Sequence, residues 1–318
     1  MSKNTRSGFM FILAITAMIG VALFLLNRES SSVAPDNGTT VIAESTAEFG
    51  ERLLRETTLY MGPDQPDPAK RLIGNRLDCA SCHLETGKQP GTLSLLTAST
   101  RYPRFSGRDG GERDLRDRIN GCMQRSMNGH PLDRDSIEMI AMEKYILELG
   151  QQFAMMSESK TAPDEPPLFA EPDRRADPEA GLTVYRNKCQ ICHGINGEGL
   201  KESSDLAKGY LFPPLWGPDS YNNGAGMNRV LTAARFIKAR MPLGEPALTD
   251  DEAYDVSAYI NSQPRPEKSN LEVDYPELFR KPVDSPYPPY ADPFSQEQHK
   301  YGPFAPIREY YARQNANQ

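Results

Sequence analysis

Histidine and cysteine are scarce in this 318-residue chain: four His and five Cys. Five Cys are too few for a disulfide scaffold, which belongs to short secreted chains dense in cysteine. A basic excess is also missing. Lys and Arg total 36 against 43 Asp and Glu, a formal net charge of −7, which argues against a general nucleic-acid binder. No stretch shows strong strand alternation, so a sheet-dominated fold is not expected. Pro (27) and Gly (24) make up about one residue in six, which calls for long ordered loops between helices. With 38% hydrophobic and 25% charged residues, wholesale disorder is excluded and a packed core is expected.

A long apolar run lies at the start. Lys3 and Arg6 precede Phe9–Leu26, 18 residues near the lower limit for a membrane span. No small-x-small cleavage site follows closely, and no Cys follows for lipid attachment. The flanking cations keep the N-terminus inside and export the rest. The expectation is a signal or membrane anchor at 1–27, with 9–26 holding the protein to the inner membrane and the globular part in the periplasm. A cleaved signal peptide is the alternative.

After a polar linker at 28–43, helical periodicity appears at 44–58, with Phe49, Leu53 and Leu54 on one face. It returns at 112–127 and at 134–150, where Ile137, Ile140, Ala141, Tyr145 and Leu149 are in phase. A Pro-rich, charged linker spans 157–176. The pattern then repeats with helices at 177–189, 226–239 and 249–262, the last opened by Thr249 and Glu252 at capping-box spacing. Each half reads helix, Cys motif, loop, helix, loop, helix. The expected domains are 44–156 and 177–263, followed by a Pro- and aromatic-rich strap at 264–318 packed over them. Disordered tails are poor in aromatics, so this tail is expected to be ordered.

The Cys motifs are Cys79-Ala80-Ser81-Cys82-His83 and Cys189-Gln190-Ile191-Cys192-His193, both C-x-x-C-H. Two thiols one turn apart reach the two vinyl groups of one porphyrin, and the adjacent His lies under the iron. A four-Cys zinc site would bring its pairs closer in sequence, and a redox C-x-x-C would want a βαβ setting. The expected cofactors are therefore two covalently bound haem c groups, with His83 and His193 as iron ligands. For the second haem, Met241-Pro242 stands 48 residues after His193, just before the last helix, and supplies a thioether. Lys238 is its rival. Arg240 is not, because a guanidinium has no lone pair to give.

The fifth cysteine, Cys122, is left without a partner. Arg118, Cys122 and Ser126 are spaced i, i+4, i+8 and share a helix face. The window 101–125 holds seven Arg (101, 104, 108, 113, 116, 118 and 125) and no Lys. Neighbouring guanidinium groups favour a thiolate, which is a nucleophile and a strong iron ligand. For the first haem, Cys122 competes with His130, which precedes Pro131 as Met241 precedes Pro242, and more weakly with Met123 and Met127.

The second half resembles class I cytochrome c in its Cys189–Gly194 motif, the Gly197–Gly199 loop, Pro213-Pro214-Leu215 and Met241-Pro242. The expected fold class is all-α: two class I cytochrome c-like haem domains, an N-terminal membrane helix and an extended C-terminal strap. The segment Ile119–Gly129, Phe236-Ile237-Lys238 before Met241-Pro242, and the tail around Tyr287–Ile307 resemble the di-haem thiosulfate dehydrogenases. The short Gly-Cys segment is also similar to the SoxA type of haem subunit, which likewise uses cysteine as a ligand. The resemblance implies that Cys122 rather than His130 is the distal ligand of the first haem. It implies that Arg108, Arg113, Arg118 and Ser126 line a thiosulfate site, and that electrons pass to an external cytochrome c-type acceptor, with tetrathionate as the product. Two thiosulfate dianions 4 Å apart repel by about 4 kcal/mol even in water, which converging guanidinium groups would offset. Competing readings are a membrane-anchored di-haem electron carrier with no substrate of its own, and a di-haem peroxidase, for which an arginine cluster has no use.

Overall fold

The computed structural model describes residues 45–156 and 169–316. The expected anchor at 9–26 lies outside the described residues. Among the described residues, no helix is long and apolar enough to cross a membrane.

The first half opens with α1 (Ala47–Arg55) and α2 (Thr57–Met61), separated where Glu56 leaves helical geometry. The Thr46 hydroxyl caps α1 by accepting the Phe49 N–H, and Phe49, Leu53 and Leu54 are buried together, the face the periodicity predicts. Helix α3 (Leu115–Arg125) starts at Asp114, where a reciprocal Asp114/Asp117 capping box satisfies the first amides. It begins three residues later than expected because Gly111–Arg113 is strand β2, paired antiparallel with β1 (Arg104–Ser106). Helix α4 (Ile137–Met156) is longer than the periodicity implied. Its buried seam is also rotated: Met139, Met142 and Ile146 join Ala141, Tyr145 and Leu149, while Ile137 is exposed. Flexible methionine side chains fill the seam that the branched residues were expected to fill.

The second half contains α5 (Pro178–Lys188), α6 (Gln190–His193), a short β3–β4 pair (Leu200–Lys201 with Tyr210–Phe212), α7 (Val230–Arg240) and α8 (Asp250–Ser262). Asp177 caps α5. The Thr249 and Glu252 capping box is formed on both sides, with bonds of 3.1 and 2.8 Å. The fold is therefore mostly helical rather than all-α. Two two-stranded sheets of two or three residues per strand are present, too short to leave an alternation in the sequence.

Both halves close in the same way. Helix α1 packs on α4, and α5 on α8, each through a glycine. A Cβ on Gly50 would lie 2.0 Å from the Ala141 carbonyl and 2.8 Å from the Tyr145 Cβ. A Cβ on Gly181 would lie 2.0 Å from the Asp255 carbonyl and 2.9 Å from the Tyr259 Cβ. Backbone approach at the crossing point requires the missing side chain in each case. The same packing device thus recurs in both halves.

The tail is ordered. After two short 3₁₀ turns it forms α9 (Gln296–Tyr301) and α10 (Ala305–Ala316). Phe304, Ile307 and Tyr311 are buried against Val230, Leu231, Tyr254 and Ala258 of the second half. Buried His299 bonds Asp292 at 3.0 Å and stacks on Tyr290 with ring centres 3.7 Å apart.

Candidate haem sites and anion pocket

The first C-x-x-C-H motif opens onto a cavity of about 550 Å³. Cys79, Cys82 and His83 lie on one side, with Cys122 and Ser126 of the α3 segment also on the wall. The rest is largely apolar, including Leu54, Leu115, Ile119, Met142 and Ile146, while Arg101, Arg104, Arg118 and Arg235 supply cations. The His83 Nδ1–H donates to the Leu93 carbonyl at 2.7 Å, which leaves Nε2 for Cys122. His193 repeats the arrangement, with Nδ1 on the Pro213 carbonyl at 2.8 Å. Two thiols, an oriented imidazole, an apolar cavity and cations for the propionates fit a covalently attached haem. In the second half, Cys189 and Met241 pack against one cluster around Tyr185, Trp216 and Ile237. Lys238 instead donates to the Leu248 carbonyl at 2.6 Å.

The five cysteines form no disulfide, and they differ in chemistry. Burial pushes the Cys79 thiol up to about 12 and Cys82 up to about 11. Burial acts on Cys122 in the same sense, but the Arg118 charge and a hydrogen bond and charge from His83 outweigh it. The thiol is brought down to about 6. Arg118 Nη1 stands 2.8 Å from the Cys122 Sγ, so the helix phase read from the sequence produces a direct contact. Cys122 and His83 share the cavity wall, whereas His130 is exposed and absent from it. Met123 and Met127 also reach the lining.

A second cavity of about 420 Å³ adjoins the first. Tyr102, Arg104, Arg118, Ser126 and Gly226 line both. Seven guanidinium groups face it: Arg104, Arg108, Arg113, Arg118, Arg125, Arg229 and Arg280. The structure thus brings Arg108, Arg113, Arg118 and Ser126 to one pocket. It turns Arg116 away, onto Glu143 at 2.8 Å. Arg104 and Arg113 stand directly opposite each other across β1–β2. Like charges facing across a strand pair destabilise it, and Asp109 offsets the Arg113 charge while Arg104 has no carboxylate partner among the described residues. Several of the arginines are held by carboxylates: Arg108 and Arg125 by Asp274, Arg113 by Asp109, Arg229 by Asp284 and Arg280 by Glu277. Among the described residues, no carboxylate pairs with Arg104 or Arg118.

Arg229, Tyr275 and Arg280 were not anticipated. They come from the second half and the strap, more than 90 residues beyond the arginine-rich window. For Tyr275 and Arg280 the one signal was the ordered, aromatic composition of the tail; Arg229, at the start of α7, had none.

Comparison with known proteins identifies the family. The domain family described as SoxA/TsdA, cytochrome c domain, matches residues 73–155, and that described as Cytochrome c matches 178–264. The chain is 36% identical over 226 residues to the thiosulfate dehydrogenase of Stutzerimonas stutzeri (strain A1501), across 70% of each protein. It is 38% identical over 223 residues to that of Allochromatium vinosum, covering 69% of this chain and 80% of the relative. The solved thiosulfate dehydrogenase TsdBA of Marichromatium purpuratum superposes with a TM-score of 0.62 at 34% identity. That match covers 74% of this chain and 50% of the TsdBA chain, so this chain spans half of that protein. With two cytochrome c domains, each carrying a C-x-x-C-H attachment site, the chain belongs to the thiosulfate dehydrogenase family of di-haem c-type cytochromes.

Proposed function

We propose that this protein couples two thiosulfate ions into tetrathionate in the arginine-lined pocket, with Cys122 as the reacting thiol. The observation that carries the reading is the pocket itself: a guanidinium-rich cavity meeting the first haem cavity at Arg118 and Ser126, with Arg118 2.8 Å from the Cys122 sulfur. Guanidinium groups match the three oxygens of a sulfonate head, and their converging charge offsets the repulsion between two dianions.

The Cys122 thiolate and the outer sulfur of one thiosulfate form a sulfur–sulfur bond with loss of two electrons. A second thiosulfate attacks that bond at the substrate sulfur, releases tetrathionate and restores the thiolate. Two thiosulfates thus give one tetrathionate and two electrons. Haems held by Cys79, Cys82, Cys189 and Cys192 would supply one-electron acceptors through which these electrons could leave to an external cytochrome c-type acceptor. Arg104 and Arg118, which have no carboxylate partner among the described residues, hold the anion nearest Cys122.

In this reading His83 and Cys122 would hold the first haem iron, and His193 and Met241 the second. Cys79, Cys82, Cys189 and Cys192 carry the thioether links. Supporting Cys122 over His130 are its place on the cavity wall and the exposure of His130. The haem domains span 44–156 and 177–263, each with a class I cytochrome c-like fold. The protein works in the periplasm, exported through the apolar run at 9–26, which anchors it.

The test is to add thiosulfate to the oxidised holoprotein, follow the haem absorption bands and assay tetrathionate. Haem reduction with tetrathionate formation is expected, and Cys122→Ala should abolish both while both haems stay attached. Full turnover in Cys122→Ala would overturn the assignment. Haems reducible by dithionite but not by thiosulfate would favour a carrier.

A further inference from the structure

One wall of the anion pocket comes from neither haem motif: Tyr275, Arg280 and Pro282 belong to the strap. The strap is fastened to the first half at Arg108. The Tyr275 N–H donates to the Arg108 carbonyl at 2.7 Å, and the Arg108 guanidinium lies over the Tyr275 ring, 5.4 Å from its centre. Tyr275 adopts φ +62°, a left-handed conformation that bulky residues avoid and that persists only where surroundings enforce it.

Next to it, the Asp274 side chain is 6% exposed and accepts three hydrogen bonds. They come from Arg125 Nη2 at 2.7 Å, Arg108 Nη1 at 3.4 Å and the Tyr287 hydroxyl at 2.8 Å. The same two guanidinium groups converge on the Gly224 carbonyl, at 3.0 Å from Arg108 and 3.3 Å from Arg125. Two cations meeting on one neutral carbonyl repel each other, and the Asp274 carboxylate supplies the opposing charge at that point.

We propose that Asp274 is a positioning residue for the anion pocket: from the strap it clamps Arg108 and Arg125 side by side, so that their remaining N–H groups face the substrate. The inference rests on reading the pocket as the thiosulfate site. Each guanidinium has five donors in a fixed plane, so fixing one edge aims the other. Without the clamp the two heads separate, and the pocket keeps its charge but loses its geometry. A carboxylate that merely anchored the strap would, on removal, lower thermal stability and leave anion affinity unchanged.

The experiment uses the full-length holoprotein as wild type, Asp274→Asn, Asp274→Glu and Tyr287→Phe. KM and kcat are measured separately from thiosulfate-dependent haem reduction. Sulfate binding is measured by calorimetry, alongside haem content and thermal midpoint. Asp274→Asn should raise KM at least tenfold with kcat within threefold, and weaken sulfate binding in parallel. Asp274→Glu, which keeps the charge, should recover most of both. If Asp274→Asn does not accumulate as holoprotein, Tyr287→Phe carries the test: it removes one bond to Asp274, leaves both arginine contacts, and should raise KM about threefold. KM and sulfate affinity at wild-type values, in Asp274→Asn or in Tyr287→Phe as its substitute, would overturn the clamp. A wild-type protein that thiosulfate does not reduce would instead overturn the substrate reading, and sulfate binding would still test the clamp.

Discussion

Gly121→Ala separates stability from anion binding at a single atom. Gly121 sits inside α3, one residue before Cys122, on the wall of the arginine pocket. Glycine in a helix interior is about 0.8–1.0 kcal/mol less favourable than alanine. An added Cβ would meet Arg113 Nη1 at 3.2 Å and Arg118 Nη1 at 3.9 Å. The first contact is tight, but its partner is the far end of a flexible side chain, which gives by a few tenths of an ångström. Most of the propensity gain should survive, roughly 0.5–1 kcal/mol, raising the thermal midpoint by about 1–4 °C for a fold of this size. Arg113 must shift to make room, which disturbs its Nη1 contact with the Asp117 carbonyl and its place on the pocket wall. Weakening one charged hydrogen bond to the anion by about 1 kcal/mol corresponds to roughly a fivefold rise in KM. The assay is a thermal scan of the holoprotein beside thiosulfate-dependent haem reduction over a range of substrate. A higher midpoint with unchanged KM would refute the role of Arg113 in the pocket. A lower midpoint would refute the claim that Arg113 gives way.

Gly181→Ala should behave in the opposite way. Its Cβ would meet backbone, the Asp255 carbonyl at 2.0 Å, which cannot yield. A loss of about 1–3 kcal/mol or more is expected in the unfolding free energy, with haem 2 the first to lose its native spectrum. Arg104→Gln removes one member of the like-charged pair across β1–β2, so it should raise the thiosulfate KM about tenfold without lowering stability. Arg116→Gln, whose partner Glu143 lies outside the pocket, should leave KM unchanged and cost under about 1 kcal/mol. Burial pushes the Asp78 carboxyl up to about 6, against the opposing hydrogen bond from the Thr58 N–H. A raised acid favours the protonated folded state, so its contribution to stability falls as pH rises from about 4 through about 6. Asp78→Asn, which keeps the acceptor for Thr58, should raise the thermal midpoint at pH 7 and give no gain near pH 4.

The parts legible in the sequence were those governed by short-range rules. Covalent attachment forces C-x-x-C-H, so both haem sites stand out in the chain. Helix phase alone placed Arg118 beside Cys122, and the Thr249–Glu252 spacing gave the start of α8. Burial of Phe49, Leu53 and Leu54 followed from periodicity. The break at Glu56 did not follow from it, and neither did the start of α3 at Leu115, because β1–β2 is too short for a periodic signal. Ile137 was misassigned to the core because hydrophobicity does not record which face of a helix meets its partner. The far wall of the anion pocket was least visible. Asp274, Tyr275 and Arg280 come to the pocket with Arg108 and Arg125 only after the strap folds back across more than a hundred residues, and no local pattern encodes that return or the arrival of Arg229 from α7.

The carboxylates around the pocket explain how so many arginines can gather there. Seven unpaired guanidinium groups in one cavity would repel strongly enough to open it. Full neutralisation, however, would leave nothing to attract a dianion. The structure divides the two demands in space. Asp109, Asp274, Glu277 and Asp284 hold the arginines at the outer and strap-facing sides. Arg104 and Arg118, nearest the boundary with the first haem cavity, are left without carboxylates among the described residues. Positive potential is therefore concentrated beside Cys122, where the reading above requires a thiolate and an anionic sulfur to approach each other. The partly neutralised outer arginines keep their hydrogen-bond donors but less net charge, which suits release of a product carrying two negative charges in place of four. On this argument, adding charge at the outer side by removing Glu277 should tighten tetrathionate binding more than thiosulfate binding.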